Sequence, residues 1–193
     1  MDKDSQAVTE LLNRALAESG LSQAAFATAL GTSASRFSTY RSGRTKPTAQ
    51  FFLRAGRIAR ALQAAHEYRI MTSIDTATAI REARDEDWAW RMLLQGRDHL
   101  RLLLGRRDGS EAAWEAAPTT TGRAGFDTLL AVLTAREFQA AGEDSPQWTK
   151  VEGLADPWVP AHPFLEYDEI IEQTPDYLAD ANIFVPARDL VTA

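Results

Sequence analysis

The chain has 193 residues, of which 45% are hydrophobic and 25% are charged, a composition typical of a globular protein with a real core. It contains no cysteine, which excludes disulfides, thiol nucleophiles and thiolate metal sites. No apolar stretch approaches about 18 residues and no basic leader precedes an apolar run, so we expect a cytoplasmic protein without membrane contact.

The net charge of −6 is unevenly distributed along the chain. Residues 1–62 carry nine bases against four acids, whereas residues 148–193 carry two bases against nine acids. A polyanion is therefore attracted to the first part of the chain and repelled from the last part.

Short helices with clear end signals are predicted for the N-terminal region. Residues 4–19 form the first helix, which Gly20 ends, and Ser22 caps a second helix that runs to Leu30. Ser33 caps a third helix, which stops at Gly43, and a fourth helix begins after Pro47.

Small and large side chains alternate in a restrictive pattern around the turn between the second and third helices. Two helices that cross steeply need a small residue at their contact, and Ala27 supplies it. Phe26, Leu30 and Phe37 fill the space beneath, and Gly31 permits the sharp turn. This pattern predicts two helices that pack closely around a tight turn.

Residues 8–62 resemble the Cro/repressor-type (XRE) helix-turn-helix family of DNA-binding domains. The resemblance is carried by Gly20-Leu21-Ser22-Gln23, Phe26-Ala27, Leu30-Gly31, Ser33, Phe37, Gly43 and Lys46-Pro47. It implies a compact domain of four or five helices that works as a homodimer on two half-sites of double-stranded operator DNA. A nucleoid-associated location follows from such a function.

The resemblance also implies residue roles. The positions that match the family's base-reading residues are Ala34, Ser35, Ser38 and Thr39. The positions expected to contact DNA phosphates are Gln23, Arg36, Arg41, Ser42, Arg44 and Lys46, and Gln23 is also expected to brace the reading helix.

Two of the base-reading positions depart from the strong readers of the family. Ala34 offers only a methyl contact to thymine, and Ser35 discriminates poorly between bases. Specificity is therefore expected to depend on Thr39, on the arginines or on DNA shape. A domain that has lost DNA binding and serves as a protein-interaction module stays open as an alternative.

Further helices are predicted in the middle of the chain, at residues 72–84, 85–104 and 126–141. Gly96 is expected to interrupt the second of them, with Asp98 capping the helix that follows. Trp88 and Trp90 lie two positions apart, so only one of them can face the core.

No constellation of catalytic or metal-binding residues emerges from the sequence. Residues 119–125 lack the lysine of a phosphate-binding loop and are interpreted as a plain loop. The three histidines lie far apart, and no Ser-His-Asp arrangement can be assembled. We therefore expect no enzyme, no cofactor and no metal.

The last 50 residues change in character, because Pro146, Pro157, Pro160 and Pro163 exclude a continuous helix while large apolar side chains argue against disorder. An extended arm is predicted, followed by short helices near residues 167–173 and 175–181. This acidic arm either packs on its own middle region or binds a partner, and its candidate contact residues are Trp148, Trp158, Phe164, Tyr167 and Phe184.

The sequence thus predicts an all-α protein with three parts: a helix-turn-helix domain at residues 1–66, a helical assembly or sensing region at 67–143, and an acidic, aromatic-rich arm at 144–193. A DNA-binding head joined to an acidic tail resembles the layout of type II antitoxins. We expect an autorepressor whose tail binds a co-encoded toxin. A stand-alone or phage-type regulator is the alternative within the same class.

Overall fold

The computed structural model describes residues 2–160 and 164–191, and the described chain is mostly helical. The α-helices in chain order are α1 (Lys3–Glu18), α2 (Gln23–Ala29), α3 (Ala34–Arg41), α4 (Ala49–Glu67), α5 (Ser73–Arg81), α6 (Glu86–Arg106), α7 (Ala124–Ala141), α8 (Tyr167–Glu172) and α9 (Asp176–Ala179). Short 3-10 helices lie at Ser110–Glu115, Gln147–Thr149 and Ala187–Leu190. Within these described ranges there is no β-strand, which confirms the all-α prediction.

The chain forms two compact units. Unit 1 combines the chain up to Asp75 with Leu102–Thr119, and unit 2 combines Thr76–Arg101 with the chain from Thr120 onward. Each unit therefore contains residues from two separate stretches of sequence. The division into three functional parts at residues 66 and 143 stays a prediction.

The predicted caps Ser22 and Ser33 are confirmed, and Thr48 caps the fourth helix in the same way. The hydroxyls of Ser22, Ser33 and Thr48 accept hydrogen bonds from backbone N–H groups in the first turns of α2, α3 and α4. These bonds satisfy donors that a helix start leaves without an intrahelical partner. Because capping is local, it fixes the helix starts regardless of the rest of the fold.

A segment distant in sequence completes the core of unit 1. The 3-10 helix Ser110–Glu115 places Ala112 and Ala113 in the same buried cluster as α1, α2, α3 and α4. The N–H of Ala117 donates to the carbonyl of Ala29 at 2.9 Å. Trp114 is fully buried and donates its indole N–H to the carbonyl of Met71 at 3.1 Å.

Arg54 connects this segment to the turn between α2 and α3. Its guanidinium donates to the carbonyl of Leu30, at the end of α2, at 3.4 Å and to the carbonyl of Glu115 at 3.2 Å. Both carbonyls lie where helices end and lack their regular partners. The arginine therefore stabilises both helix ends.

The predicted interruption at Gly96 is wrong, because α6 runs without a break through this residue. A Cβ atom at position 96 would lie closer than 3.0 Å to the side chain of Thr76. Both residues belong to unit 2 and are buried. The glycine therefore permits close packing and does not mark a helix boundary.

The proline-rich residues of the C-terminal part pack within unit 2. Backbone hydrogen bonds join Leu154 to Ala181 and Trp158 to Asn182, and Phe184 donates back to Trp158 at 2.9 Å. The short helices predicted here are present as α8 and α9, although α9 begins and ends inside the predicted range. The segment is thus extended and paired with a neighbouring stretch of its own unit.

An ionic cluster joins α6 and α7 in unit 2, with the side chains of Glu137 and Arg97 nearly buried and that of Arg101 45% exposed. The carboxylate of Glu137 accepts hydrogen bonds from Arg97 at 2.6 Å and from Arg101 at 2.9 Å, and Arg97 also donates to the carbonyl of Leu190. Burial raises the pKa of Glu137, but the hydrogen bond from Arg101 and the charge of Arg97 outweigh burial and hold its pKa below the ordinary value.

Replacing this carboxylate is expected to destabilise the protein. Glu137→Gln leaves two arginines without their anion, so we expect the free energy of unfolding at neutral pH to fall by about 3 kcal/mol, measured by urea denaturation. Since the folded pKa is lowered, the carboxylate stabilises fully above its ordinary pKa and loses this effect as the pH falls through the lowered value. The difference between wild type and variant should therefore shrink in acid. Glu143→Gln, at an exposed position, is the control and should change little.

Candidate nucleic-acid interface

The turn between α2 and α3 has the tight geometry that the sequence predicts. Gly31 has a φ of +68°, and the N–H of Thr32 donates to the carbonyl of Ala27 at 2.9 Å. Ala27 is fully buried, and the rings of Phe26 and Phe37 meet edge to face at 5.5 Å. The position of α3 is therefore fixed from beneath by well-packed apolar contacts.

The four predicted base-reading residues lie on the open side of α3. Ala34 and Ser35 are exposed in its first turn, and Ser38 and Thr39 are half-buried in the next. The hydroxyl oxygens of Ser33 and Ser35 are 3.1 Å apart, and the Thr39 hydroxyl donates to the carbonyl of Arg36 at 2.8 Å. Short side chains thus leave the helix backbone accessible to a ligand.

Arg41 connects three helices. Its guanidinium donates to the side-chain oxygen of Asn13 on α1 at 2.7 Å and to that of Gln23 on α2 at 2.5 Å. The predicted bracing role of Gln23 thus has a geometric basis, since Gln23 holds the last residue of α3. Asn13 was missed by the sequence analysis, because an asparagine within a helix carries no signal of a partner 28 residues away.

The side chain of Arg36 extends along its own helix toward Tyr40, one turn further on. Its Nε donates to the hydroxyl of Tyr40 at 2.9 Å, and the guanidinium lies 6.0 Å from the centre of the Tyr40 ring. This contact orients a positive charge beside the exposed turn of α3. Arg36 and Arg41 are therefore both held by protein partners before any ligand binds.

The loop after α3 carries two further positive charges. Arg44 donates to the hydroxyl of Ser42 at 3.0 Å, and Lys46 lies 3.6 Å from the carboxylate of Asp2. Hydrogen bonds from the backbone and the hydroxyl of Ser5 lower the pKa of Asp2 to about 2, so it is charged at neutral pH. The side chains of Lys46 and Asp2 are 78% and 60% exposed, and such a pair contributes little free energy. Lys46 can therefore exchange this carboxylate for another anion at small cost.

The five predicted partner-contact aromatics fall into two groups within unit 2. Trp158 packs against Phe126 at 5.2 Å between ring centres, while Trp148 and Phe184 are half-buried. Phe164 is 87% exposed and Tyr167 is 52% exposed. Only the second group presents a large aromatic surface to solvent.

The loop at residues 119–125 uses its own donors internally. The N–H of Thr121 donates to Asp127 at 2.7 Å, and those of Gly122 and Arg123 donate to the hydroxyls of Thr120 and Thr121. These bonds support the interpretation of a plain loop. Across residues 2–160 and 164–191, no three His, Asp or Glu side chains are grouped to hold a metal ion.

Comparison with known proteins identifies the N-terminal segment. Residues 9–68 match the family described as a helix-turn-helix domain, whereas no curated protein and no solved structure matches the chain. The helix-turn-helix prediction is confirmed, and the Cro/repressor type stays a prediction. Helix-turn-helix domains place a helix in the DNA major groove, so this domain suggests a DNA-binding regulator. Among the described helices, none is long and apolar enough to cross a membrane.

The contact between Arg41 and Asn13 leads to a measurable coupling. Hydrogen bonds to charged groups contribute about 1.5–3 kcal/mol, so a double-mutant cycle of Asn13→Ala and Arg41→Ala should give a coupling free energy of about 1–2 kcal/mol in urea denaturation. The matched cycle of Asn13→Ala with Arg44→Ala should be additive within about 0.5 kcal/mol. Additivity in the first cycle would show that Asn13 does not hold Arg41.

Proposed function

We propose that this chain, through the helix-turn-helix domain at residues 9–68, is a sequence-specific transcriptional repressor that binds operator DNA. The observation that carries the proposal is the placement of α3. Its first turn is exposed and lined by short side chains, while Phe37 packs in the core beneath the helix and Arg41 joins its last turn to α1 and α2. A rigid helix with an open first turn is what major-groove binding needs.

Direct base contacts are proposed for Ala34, Ser35, Ser38 and Thr39. None of these side chains makes the bidentate contact that arginine makes with guanine or glutamine with adenine. We therefore infer that shape and deformability of the DNA contribute much of the discrimination between sequences.

Phosphate contacts are proposed for six residues around this helix: Gln23, Arg36, Arg41, Ser42, Arg44 and Lys46. Arg36, Arg41 and Gln23 are already held in place by Tyr40 and by each other, so they lose little side-chain entropy on binding. Lys46 exchanges Asp2 for a phosphate. These contacts add affinity without sequence information.

The phosphate assignment is tested through the salt dependence of binding. The full chain is first used to select its site from random duplex DNA, and affinity is then measured by fluorescence anisotropy at several salt concentrations. Arg44→Ala with Lys46→Ala should reduce the slope of log K against log salt by about 2, because each lost phosphate contact removes about one unit.

The matched control removes the same charge from unit 2. Arg91→Ala with Lys150→Ala, both at exposed positions, should leave the slope unchanged. An equal reduction in the control would contradict the phosphate assignment. Failure to enrich any sequence would contradict the proposal itself and favour a protein-interaction module.

A narrower proposal is that the protein is an antitoxin-type autorepressor. It is supported by the acidic balance of residues 148–193 and by the exposed rings of Phe164 and Tyr167 beside the acidic helix α8. An apolar anchor surrounded by acids suits a basic protein partner. A stand-alone regulator stays the alternative, and it needs no such surface.

Point substitutions test this version better than removal of the tail, because residues 144–193 contribute buried side chains such as Leu178 to unit 2. Phe164→Ser with Tyr167→Ser should abolish co-purification with the product of the adjacent reading frame, while DNA affinity stays unchanged. Leu102→Ser, also an exposed apolar position, is the control. Undiminished co-purification of the double variant would contradict this surface.

A further inference from the structure

A cavity of about 430 Å³ lies in unit 1, between the second half of α4 and the end of α6 with the loop that follows it. Its charged lining residues are three arginines and one acid, namely Arg57, Arg60, Arg106 and Asp108. The lining is therefore positive, in a chain whose net charge is −6. A volume in this range suits a small molecule, and the charge suits an anion.

The cavity lies away from the proposed DNA contacts. The reading helix α3 packs against the start of α4, where the ring centre of Phe51 is 6.5 Å from that of Phe37 and 5.1 Å from that of Tyr40. The lining residues of α4 begin at Arg57 and end at its C-cap Tyr68. At 1.5 Å per residue they lie roughly 10–25 Å further along the helix axis than Phe51. The six residues proposed for phosphate contact are not among them, so the cavity is a separate site.

The three arginines keep hydrogen-bond donors for a ligand. One Nη of Arg57 donates to the carboxylate of Glu115 at 2.5 Å, and the Nε of Arg106 lies 3.4 Å from the carboxylate of Asp108. Arg60 forms no ion pair with any described residue. Each guanidinium carries five N–H groups in a planar fork, so donors remain for the oxygens of a phosphate.

A buried hydroxyl at the cavity lacks a hydrogen-bond partner. Ser110 lines the cavity and is 9% exposed, and its hydroxyl oxygen makes no hydrogen bond within the described part of the chain. The hydroxyl and the N–H of Ser110 lie near enough to Asp108 to lower the pKa of that carboxyl, and the N–H donates to it at 3.0 Å. The hydroxyl itself does not reach hydrogen-bonding geometry. A buried polar group without a partner is unfavourable, so an acceptor bound in the cavity would gain this donor.

Tyr68 adds an aromatic surface to the cavity. It is 62% exposed, and the guanidinium of Arg106 lies over its ring, 4.6 Å from the ring centre. The arginine covers one face of the ring, so a planar group can stack on the other face. Stacking on an aromatic ring beside phosphate-binding arginines is the chemistry that recognises a nucleotide.

Two further arginines next to the lining residues have a backbone conformation that favours glycine. Arg69 and Arg107 have φ of +55° and +53°, follow Tyr68 and Arg106 directly in the chain, and are exposed. This left-handed conformation is unfavourable for a residue with a Cβ atom, and such strain is concentrated at functional sites. Both residues add positive charge at the ends of the two helices that form the cavity.

We propose that this cavity binds a small nucleotide, whose phosphates contact Arg57, Arg60 and Arg106, whose base stacks on Tyr68, and to which Ser110 donates its hydroxyl. The proposal goes beyond the proposed DNA function, since the two sites share no residue. Duplex DNA is the other source of phosphate. Its backbone lies on an open protein surface, whereas a cavity with an aromatic wall suits a ligand that enters it whole.

The test measures ligand binding to the full chain by isothermal titration calorimetry without magnesium, so that the phosphates keep their charge. ATP is the probe, because stacking and phosphate contacts do not depend on the identity of the base. ATP should bind at one site, tripolyphosphate more weakly, and adenosine not detectably. Arg60→Ala and Arg106→Ala should each weaken ATP binding by about 10-fold, the effect of one lost hydrogen bond to a charged group. Tyr68→Ala should weaken ATP binding and leave tripolyphosphate binding unchanged.

Ser110→Ala separates binding from folding. Removing a buried hydroxyl that lacks a partner should leave the Tm unchanged or raise it, while the affinity for ATP falls by about fivefold. The matched charge control is Arg44→Ala with Lys46→Ala, which removes two positive charges from the proposed DNA-contact surface. It should leave the affinity for ATP unchanged and weaken binding to duplex DNA, whereas Arg60→Ala with Arg106→Ala should show the opposite pattern.

Several results would overturn the nucleotide site. They are a wild type that does not bind ATP, a Ser110→Ala variant with wild-type affinity, and a charge control that loses as much ATP affinity as the cavity variants. Loss of duplex DNA binding with unchanged ATP binding in Arg60→Ala with Arg106→Ala would assign the cavity to the DNA backbone and also overturn it. Absence of DNA binding in every protein, together with intact ATP binding, would instead contradict the proposed DNA function and support this site.

Discussion

Close packing between α2 and α3 is the constraint on which the rest of unit 1 depends. Ala27 has no exposed surface, and the Phe26 and Phe37 rings meet at 5.5 Å beneath the turn. A larger side chain at position 27 would separate the helices, since a packed interior has no room for extra methylene groups. The angle of α3, and therefore everything proposed for its open face, follows from this contact.

Polar contacts also hold the helices of unit 1 in place. Arg41 joins α3 to α1 and α2, and Arg54 joins the end of α2 to the segment before residue 117. Both arginines lie in the most basic part of the chain, where positive charge alone suggests nucleic-acid contact. Because the guanidinium of Arg54 donates to two backbone carbonyls, a count of basic residues overstates the number available to phosphates.

Features determined by neighbouring residues were predicted from the sequence, and features determined by distant residues were not. The starts of α2, α3 and α4 follow from single serine and threonine caps, and the turn at Gly31 follows from its conformational freedom. The continuity of α6 through Gly96 depends on Thr76 of another helix. The candidate site shows the same division: the position of α3 was predictable, but the Asn13 contact 28 residues away was not.

The 3-10 helix Ser110–Glu115 has a consequence for synthesis of the protein. The segment matched by the family model ends at residue 68, yet Ala112 and Ala113 belong to the same core. During translation the N-terminal helices are made before these alanines, so the apolar face of α4 that the alanines cover stays exposed to solvent until they too have emerged from the ribosome. The nascent chain therefore exposes apolar surface in that interval, and a chaperone that covers this surface would limit aggregation before the core is complete.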